Sequence, residues 1–308
     1  MDPSPLGALL RSRGIFHCDT RLDGSTAVDL PALPGSVMYH LVLQGTCVVI
    51  CDDTTVTLGE GEIVLAPHGT GHRIAAHGTP LWTVGLAESG RVDLGGGIEQ
   101  LDLGGRDPAL HLVCGAIALE HPASPRLPAR LPPLLRAAAE GEDVAALRAV
   151  AALVLREAQE QAEGWAQVSA HLVEGLALRE VRRAVREAPT EAGWWAASRD
   201  DAIGPVLGAV LANLAHPWGV TGMSRVAGLS RSAFSARFTA LTGEAPMAWV
   251  TRVRMAEAHR LLREGSGVAA VARATGYGSE VSFRRAFRRE TGIPPGRVRA
   301  HPGTPQWS

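Results

Sequence analysis

The sequence has no lysine, only four cysteines, and no uncharged apolar run as long as the ~18 residues that a membrane-spanning helix needs. We therefore expect no membrane segment. Four cysteines in 308 residues are too few for a disulfide scaffold, and we expect them to be thiols in a reducing compartment. Residues 1–5 carry no basic cluster before an apolar run, so no secretory signal is expected and the predicted location is the cytoplasm.

All thirty basic residues are arginine, and they are unevenly distributed along the chain. Residues 204–308 contain fourteen arginines against five glutamates and no aspartate, a balance of +9, whereas residues 1–203 contain sixteen arginines against twenty-six acidic residues. The net charge of −1 for the whole chain hides this partition. A basic C-terminal region is typical of nucleic-acid binding.

The same region contains one pattern twice. A pair of phenylalanines four residues apart is followed by Thr-Gly and then by a proline, and the second copy is displaced from the first by 49 positions. Phenylalanines four apart share one helix face and pack inward, and Thr-Gly ends the helix. The first copy is Phe234, Phe238, Thr242, Gly243 and Pro246, and the second is Phe283, Phe287, Thr291, Gly292 and Pro295.

A second short helix and a glycine turn precede each phenylalanine pair. The turns are at Gly228 and Gly276, and Ser230 and Ser279 follow them at positions that cap the next helix. Helix, glycine turn and helix form the helix-turn-helix unit. A long periodic stretch, 246–264, predicts one helix that connects the two units.

These residues resemble the DNA-binding domain of the AraC family of transcription regulators, over about residues 205–300. The second unit carries the family signature as Gly276-Tyr277-x-Ser279, Phe283-x-Arg285-x-Phe287-Arg288 and Gly292-Ile293-Pro294-Pro295. Gly222 inside a predicted helix and Val298 in place of an aromatic residue depart from the pattern. The resemblance implies two units that enter successive major grooves, about 34 Å apart, on one face of the DNA.

The second helix of each unit supplies the expected DNA contacts. Arg284 or Arg285 is suited to grip a guanine edge in a bidentate fork, whereas the first unit presents short side chains and should read sequence weakly. The alternative is that the arginines contact phosphates only. The expected residues are Arg231, Ser232, Ser235, Ala236 and Arg237 in the first unit, and Glu280, Val281, Arg284, Arg285 and Arg288 in the second.

Residues 1–130 have a different character, with short alternating apolar runs divided by glycine-rich breaks, which predicts a β-barrel or sandwich. The spacing Gly61-x5-Pro67-x-Gly69-x2-His72 resembles the second motif of the cupin barrel. The first motif is degenerate, because Val42 stands where a second histidine would follow His40. The fold class predicted for the chain is therefore α+β and multidomain, with a cupin-like barrel and an all-α double helix-turn-helix domain.

Cys18 and Cys114 join this resemblance through the stretch Leu112-Val113-Cys114-Gly115, together with His121-Pro122 and Leu131-Pro132-Pro133-Leu134-Leu135. These segments are similar to a branch of AraC-type cupin regulators that includes sensors of reactive chlorine and electrophiles. The resemblance implies that Cys18, His40, His72 and Cys114 are sensing groups. Two chemistries suit them: tetrahedral zinc, or a thiolate that is oxidised first and resolved by the second cysteine. The alternative is that these side chains only pack or form hydrogen bonds.

Residues 131–200 are rich in Ala, Leu, Glu and Arg, and their periodicity from about Leu134 to Ala188 predicts two amphipathic helices with a break near Gly164. Their apolar faces either pack on the barrel or form a homodimer seam. The segment 188–193 is the expected hinge before the DNA-binding domain, 201–308.

Together these features predict a signal-responsive transcription regulator that acts as an activator and is not an enzyme. Its expected partners are operator DNA and RNA polymerase. The signal is an oxidant or a metal at the Cys/His set, or a small organic ligand in the barrel. A catalytic cupin fused to a DNA-binding module is the third alternative, and a catalytic metal site would need three or four ligands and an open position.

Overall fold

The computed structural model describes residues 12–76, 80–119, 131–137, 142–187 and 194–298. These residues form two compact units, one from Ser12 to Val185 and one from Arg186 onward. The dipeptide His121-Pro122 and the expected hinge 188–193 lie outside the described residues. Among the described helices, none is long and apolar enough to cross a membrane.

The first unit is built mainly from short strands, as the alternating apolar runs predict. Its strands are β1 (Ser12–Leu22), β2 (Thr26–Leu30), β3 (Ser36–Gly45), β4 (Cys47–Cys51), β5 (Thr54–Leu58), β6 (Ile63–Ala66), β7 (His72–Ala76), β8 (Trp82–Gly85), β9 (Val92–Gly95), β10 (Ile98–Leu103), β11 (Leu110–Leu119) and β12 (Leu135–Arg136).

Two sheets enclose one apolar core, which is the arrangement expected of a cupin barrel. The seven-stranded sheet has the order β12-β6-β3-β11-β1-β10-β9, and the five-stranded sheet has the order β5-β4-β7-β2-β8. Side chains from both sheets pack in this core, including Leu22, Val42, Val49 and Leu58, each fully buried. Strand alternation therefore divides each strand into residues that face the core and residues that face outward.

Two helices, α1 (Glu142–Glu160) and α2 (Trp165–Glu187), fall in the same compact unit as the strands. Gly164, with φ of +81°, lies between them, so the helices break where the sequence predicts. The predicted start at Leu134 is wrong, because residues 135–136 form a strand paired with β6.

The second unit is helical in its described part. Its helices are α3 (Trp194–Arg199), α4 (Ile203–Ala212), α5 (Val220–Val226), α6 (Arg231–Thr242), α7 (Pro246–Arg263), α8 (Val268–Ala274) and α9 (Glu280–Thr291), followed by a 3-10 turn, Pro295–Arg297.

Helix α7 connects two small cores. Trp249 and Val253 pack with Phe234 and Phe238 in the first, while the C-terminal half of α7 packs with Phe283 and the rest of the second core. The predicted caps are present: the Ser230 hydroxyl accepts from the Ala233 N–H and the Ser279 hydroxyl from the Ser282 N–H, each at 3.2 Å. The sequence therefore predicts both helix-turn-helix units correctly, including the serine cap at the start of the second, recognition helix of each unit (α6 and α9).

Two glycines of this unit should respond to substitution in opposite ways. Gly222 lies inside α5 with open space where a Cβ would stand, so Gly222→Ala should raise the free energy of unfolding by about 0.5–1 kcal/mol. Gly276 has φ of +78°, and a Cβ there would lie 2.9 Å from the carbonyl oxygens of Leu214 and Ala215. Gly276→Ala should therefore lower the free energy of unfolding. Urea unfolding of both variants checks the prediction, and a loss of stability in Gly222→Ala would contradict it.

Candidate DNA-binding face and Cys/His cluster

The recognition helices α6 and α9 expose most of the side chains that the sequence assigns to DNA, whereas Ser235 and Glu280 are half-buried. Val281 is 70% exposed although it is apolar, and Arg285 and Arg288 are also exposed. The exposed face of α9 and the following turn line a cleft of about 570 Å³ with four arginines and two prolines. Its residues are Arg284, Arg285, Arg288, Arg289, Pro294 and Pro295.

The arginines of this face differ in what they already contact. The guanidinium of Arg237 forms a bidentate ion pair with Asp200, with Nη2 2.7 Å from Oδ2, and Asp200 also caps the start of α4. Arg284 is paired with Glu280 one turn before it. Neither Arg285 nor Arg288 has an ion pair within the described part of the chain. Of the two base-reading candidates on α9, Arg284 and Arg285, only Arg285 therefore gives up no described ion pair when it contacts DNA.

In the barrel, three of the four predicted sensing residues are neighbours in one row across the seven-stranded sheet. Cys18 on β1 is the direct antiparallel partner of Cys114 on β11, and Cys114 is the partner of His40 on β3. His72 reaches the row from β7 of the other sheet, with its Nε2 2.6 Å from Nε2 of His40. All four side chains are buried. The fold thus brings together residues separated by almost 100 positions in the chain.

Hydrogen bonding fixes the direction of the protons in this row. The carbonyl of Thr70 can only accept, so Nδ1 of His72, 2.7 Å away, donates to it. A neutral His72 then accepts at Nε2 from the Nε2–H of His40. The Nδ1 of His40 is left as an acceptor, 3.1 Å from the Cys114 sulfur. The Cys114 thiol therefore donates to His40, which is placed to act as its base.

Burial determines the charge state of these groups at rest. It raises the pKa of the Cys18 thiol to about 12 and the pKa of the Cys114 thiol well above its usual value. Burial also lowers the pKa of both histidines, and for His40 the neighbouring His72 adds to the shift. The row is consequently a set of neutral thiols and neutral imidazoles near pH 7.

Zinc does not fit this arrangement. Two imidazole nitrogens bound to one tetrahedral zinc at 2.0–2.1 Å lie about 3.3 Å apart, whereas those of His40 and His72 are separated by 2.6 Å. In the described parts of the chain, no group of three or more His, Cys, Asp or Glu side chains has the geometry of a metal site. The nitrogens that would face a metal are bonded to each other instead.

Sequence reasoning missed two residues of the cluster, Thr20 and Thr70. The hydroxyl of Thr20 donates to the Cys18 sulfur at 3.4 Å, and the carbonyl of Thr70 sets the orientation of His72. The period-two alternation of β1 places Thr20 on the face of Cys18 and was available from the sequence. A backbone carbonyl carries no residue signal, so the role of Thr70 was not.

Comparisons with known proteins agree with both parts of the geometry. A family model described as cupin matches residues 6–186, and one described as helix-turn-helix domain matches residues 223–301. The chain is 28% identical over 314 residues to a putative AraC-like transcription regulator from Streptomyces lividans, covering 99% of this chain and 100% of that protein.

Two further similarities concern an activator and a solved structure. The RCS-specific HTH-type transcriptional activator RclR of Escherichia coli K12 is 26% identical over 267 residues, covering 85% of this chain and 84% of that protein. The crystal structure of the DNA-binding domain of AdpA in complex with a target DNA is 35% identical and covers 33% of this chain and 92% of that chain, with a TM-score of 0.32.

The ion pair of Arg284 predicts unequal effects of alanine substitution on DNA binding. Arg285→Ala should weaken specific binding by about 1–3 kcal/mol if its bidentate contact to guanine is lost. Arg284→Ala should cost less, because wild-type Arg284 must first give up Glu280. Fluorescence anisotropy with operator DNA at fixed salt measures both. Equal losses, together with unchanged base preference, would indicate phosphate contacts at both positions.

The buried histidines predict a loss of stability in acid. Burial lowers the pKa of His17 to about 4, and it lowers the pKa of His40 and His72 as well. Histidines in the unfolded chain have a pKa near 6.5, so below about pH 6.5 the unfolded chain binds more protons than the folded chain. The free energy of unfolding therefore falls as the pH is lowered, by up to about 1.4 kcal/mol per pH unit for each histidine.

Urea unfolding at about pH 7 and about pH 5 tests this expectation. His17→Gln should reduce the difference between the two free energies, whereas His216→Gln should leave it unchanged, because His216 is exposed. An equal difference in all three proteins would show that groups other than His17 cause the loss.

Proposed function

We propose, for a chain that belongs to the cupin family and is an AraC-type DNA-binding transcription regulator, that its signal is an oxidant read as disulfide formation between Cys18 and Cys114. The observation that carries the proposal is their direct pairing across β1 and β11, with the Cys114 thiol bonded to a histidine base. We further propose that the barrel performs no catalysis and acts only as a sensor.

The strand pairing is compatible with a disulfide. The Cα atoms of directly opposed residues in an antiparallel sheet lie about 4.5 or 5.5 Å apart, depending on the type of pair. Disulfides span Cα separations of about 4.4–6.8 Å. Both types fall in this range, so Cys18 and Cys114 can be joined without separating the strands.

The proposed reaction starts at Cys114, because this thiol has a base. His40 accepts the thiol proton as the sulfur attacks the chlorine of hypochlorous acid, which leaves a sulfenyl chloride and hydroxide. The sulfur of Cys18 then displaces chloride, a proton is released, and the S–S bond forms. Two thiols and one hypochlorous acid give one disulfide, one chloride, one proton and one water. Because burial raises the pKa of both thiols, the proton of Cys114 must pass to His40 during the attack.

The output proposed is a change in how the two helix-turn-helix units are presented to promoter DNA. One relative is named as a transcriptional activator, which supports activation here and hence RNA polymerase as a partner. The proposed location is the cytoplasm, where the promoter DNA lies.

We also propose a homodimer through the first unit's helices, because Leu153 on α1 and Val168 on α2 are 40% and 46% exposed. Light scattering of the full chain tests this last point, and a mass of one chain would contradict it.

Thiol mapping tests the oxidant proposal. Reduced protein treated briefly with hypochlorite should form one disulfide between Cys18 and Cys114, found by peptide mass spectrometry, and its operator affinity or promoter output should change. Cys18→Ser and Cys114→Ser should each abolish that change. Cys51→Ser is the matched control, because Cys51 is also a buried thiol of the barrel but lies on β4, in the other sheet.

Other results would point to the alternative functions. A response retained in both Cys18→Ser and Cys114→Ser would exclude the disulfide and direct the search to organic ligands of the barrel. Stoichiometric zinc in the freshly purified reduced protein, lost in Cys114→Ser, would favour a metal sensor over the redox switch. Turnover of a small substrate by the barrel would contradict a purely sensory role.

A further inference from the structure

The cross-strand row that contains the two cysteines continues onto a charged residue. In the parallel pairing of β1 with β10, Cys18 is the partner of Glu99. The row across the seven-stranded sheet is thus Glu99, Cys18, Cys114, His40 and Val64. Glu99 has the same parity as Leu101, which packs in the core, so it shares the inner face with Cys18. The second thiol therefore has a glutamate as its direct cross-strand neighbour.

Glu99 is not alone at this position. Its Oε2 forms an ion pair with Nη1 of Arg91, and both side chains are only 11% exposed. The guanidinium carbon of Arg91 lies 5.9 Å from the ring centroid of Phe16, two residues before Cys18 on the same strand face. A charge of each sign is therefore held at the same end of the row, where solvent screens it little.

We propose that the Arg91–Glu99 pair controls the reactivity of Cys18, with Glu99 holding its thiol protonated and Arg91 available to stabilise its thiolate. This rests on the proposed role of Cys18 as the second thiol. Glu99 and Arg91 are positioning residues here, since they act through Cys18 and contact no substrate. The pair makes disulfide formation depend on a local charge balance as well as on the oxidant.

The other groups near Cys18 do not replace this control. Asp19 has its carboxylate on the opposite face of β1, where it is 2.6 Å from the ring of His111. Thr20 only donates a hydrogen bond to the sulfur, and Cys114 is neutral and bonded to His40. The electrostatic influences on the Cys18 pKa agree: after burial and the bond from Thr20, Glu99 and Asp19 raise it and Arg91 lowers it. Among the described residues on the inner face, Glu99 and Arg91 are the charged groups that act on Cys18.

Single and double substitutions distinguish an effect of charge on the reactivity of Cys18 from an effect of looser packing. In Glu99→Gln the positive charge of Arg91 is uncompensated, so the Cys18 pKa should fall by about one unit and its thiolate fraction should rise about tenfold. Arg91→Met should produce no rise. The double variant should return to the parent, because both charges are gone. If substitution merely loosened the barrel, the double variant would react at least as fast as Glu99→Gln.

The experiment is iodoacetamide labelling of the reduced full-length protein from about pH 7 to about pH 10, with Cys18 quantified by peptide mass spectrometry. Asp29→Asn is the matched control, because it breaks another cross-strand ion pair, that with Arg73 on the five-stranded sheet. The result expected is faster labelling of Cys18 in Glu99→Gln alone. The same rate in Glu99→Gln as in the parent, or a fast double variant, would overturn the proposal.

The outcome is separable from that of the proposed function. Labelling uses no oxidant, so faster Cys18 labelling in Glu99→Gln together with no hypochlorite-induced disulfide would reject the sensor role and keep the charge control. A normal hypochlorite-induced disulfide with unchanged labelling of Cys18 would keep the sensor role and reject the charge control. If both hold, Glu99→Gln should also form the Cys18–Cys114 disulfide at lower hypochlorite doses than the parent.

Discussion

A carbonyl oxygen cannot donate a hydrogen bond, and the chemistry of the barrel depends on that constraint at Thr70. It makes His72 a donor at Nδ1, His40 a donor toward His72, and Cys114 a donor toward His40. In a neutral row each proton position follows from the one before it. Zinc is opposed by a different feature, because the facing nitrogens of His40 and His72 are only 2.6 Å apart and a metal would have to separate them. One backbone group thus sets the proton positions along the whole row.

Much of the helical unit follows from the sequence because its signals are local. Phenylalanines four apart, serine caps and glycine stops lie within a few residues of the turns that they specify, and the structure has Ser230, Ser279, Gly243 and Gly292 in these roles. The apolar runs 37–50, 54–58, 63–66, 81–86 and 110–119 also predict strands, and the structure has β3 to β6, β8 and β11 there, with the first run divided into two strands at Thr46. Other strands were not predictable, since β2 and β7 alternate weakly and β9 exposes its apolar residues.

The cluster was only partly predictable, for a reason that lies in sheet topology. His72 has a local motif and Cys114 sits in a recognisable stretch, but the row from Glu99 to His40 depends on β1 pairing with both β10 and β11. Register between strands distant in sequence is set by the whole sheet, so no local pattern places Glu99 beside Cys18. The ion pair of Arg237 with Asp200 is similar: α6 predicts an exposed arginine, and only the packing of α3 and α4 shows that its guanidinium is already engaged.

Strand alternation also connects the inner row to the outer face of the sheet. Cys114 is followed by Gly115, where a Cβ would lie 2.2 Å from the Tyr39 hydroxyl, so this glycine makes room for the tyrosine ring. Tyr39 in turn contacts His17, the residue before Cys18, at 3.3 Å. The Glu174 carboxylate of α2 lies against Gly14 on the same strand as His17. Burial raises the pKa of Tyr39, and the charge of Glu174 adds to that shift. A bond between Cys18 and Cys114 pulls on β1 and β11 at adjacent positions, and tightly packed groups accommodate such a change by shifting together. Because Glu174 lies against Gly14, a shift of β1 in the proposed switch would act on helix α2 of the same unit.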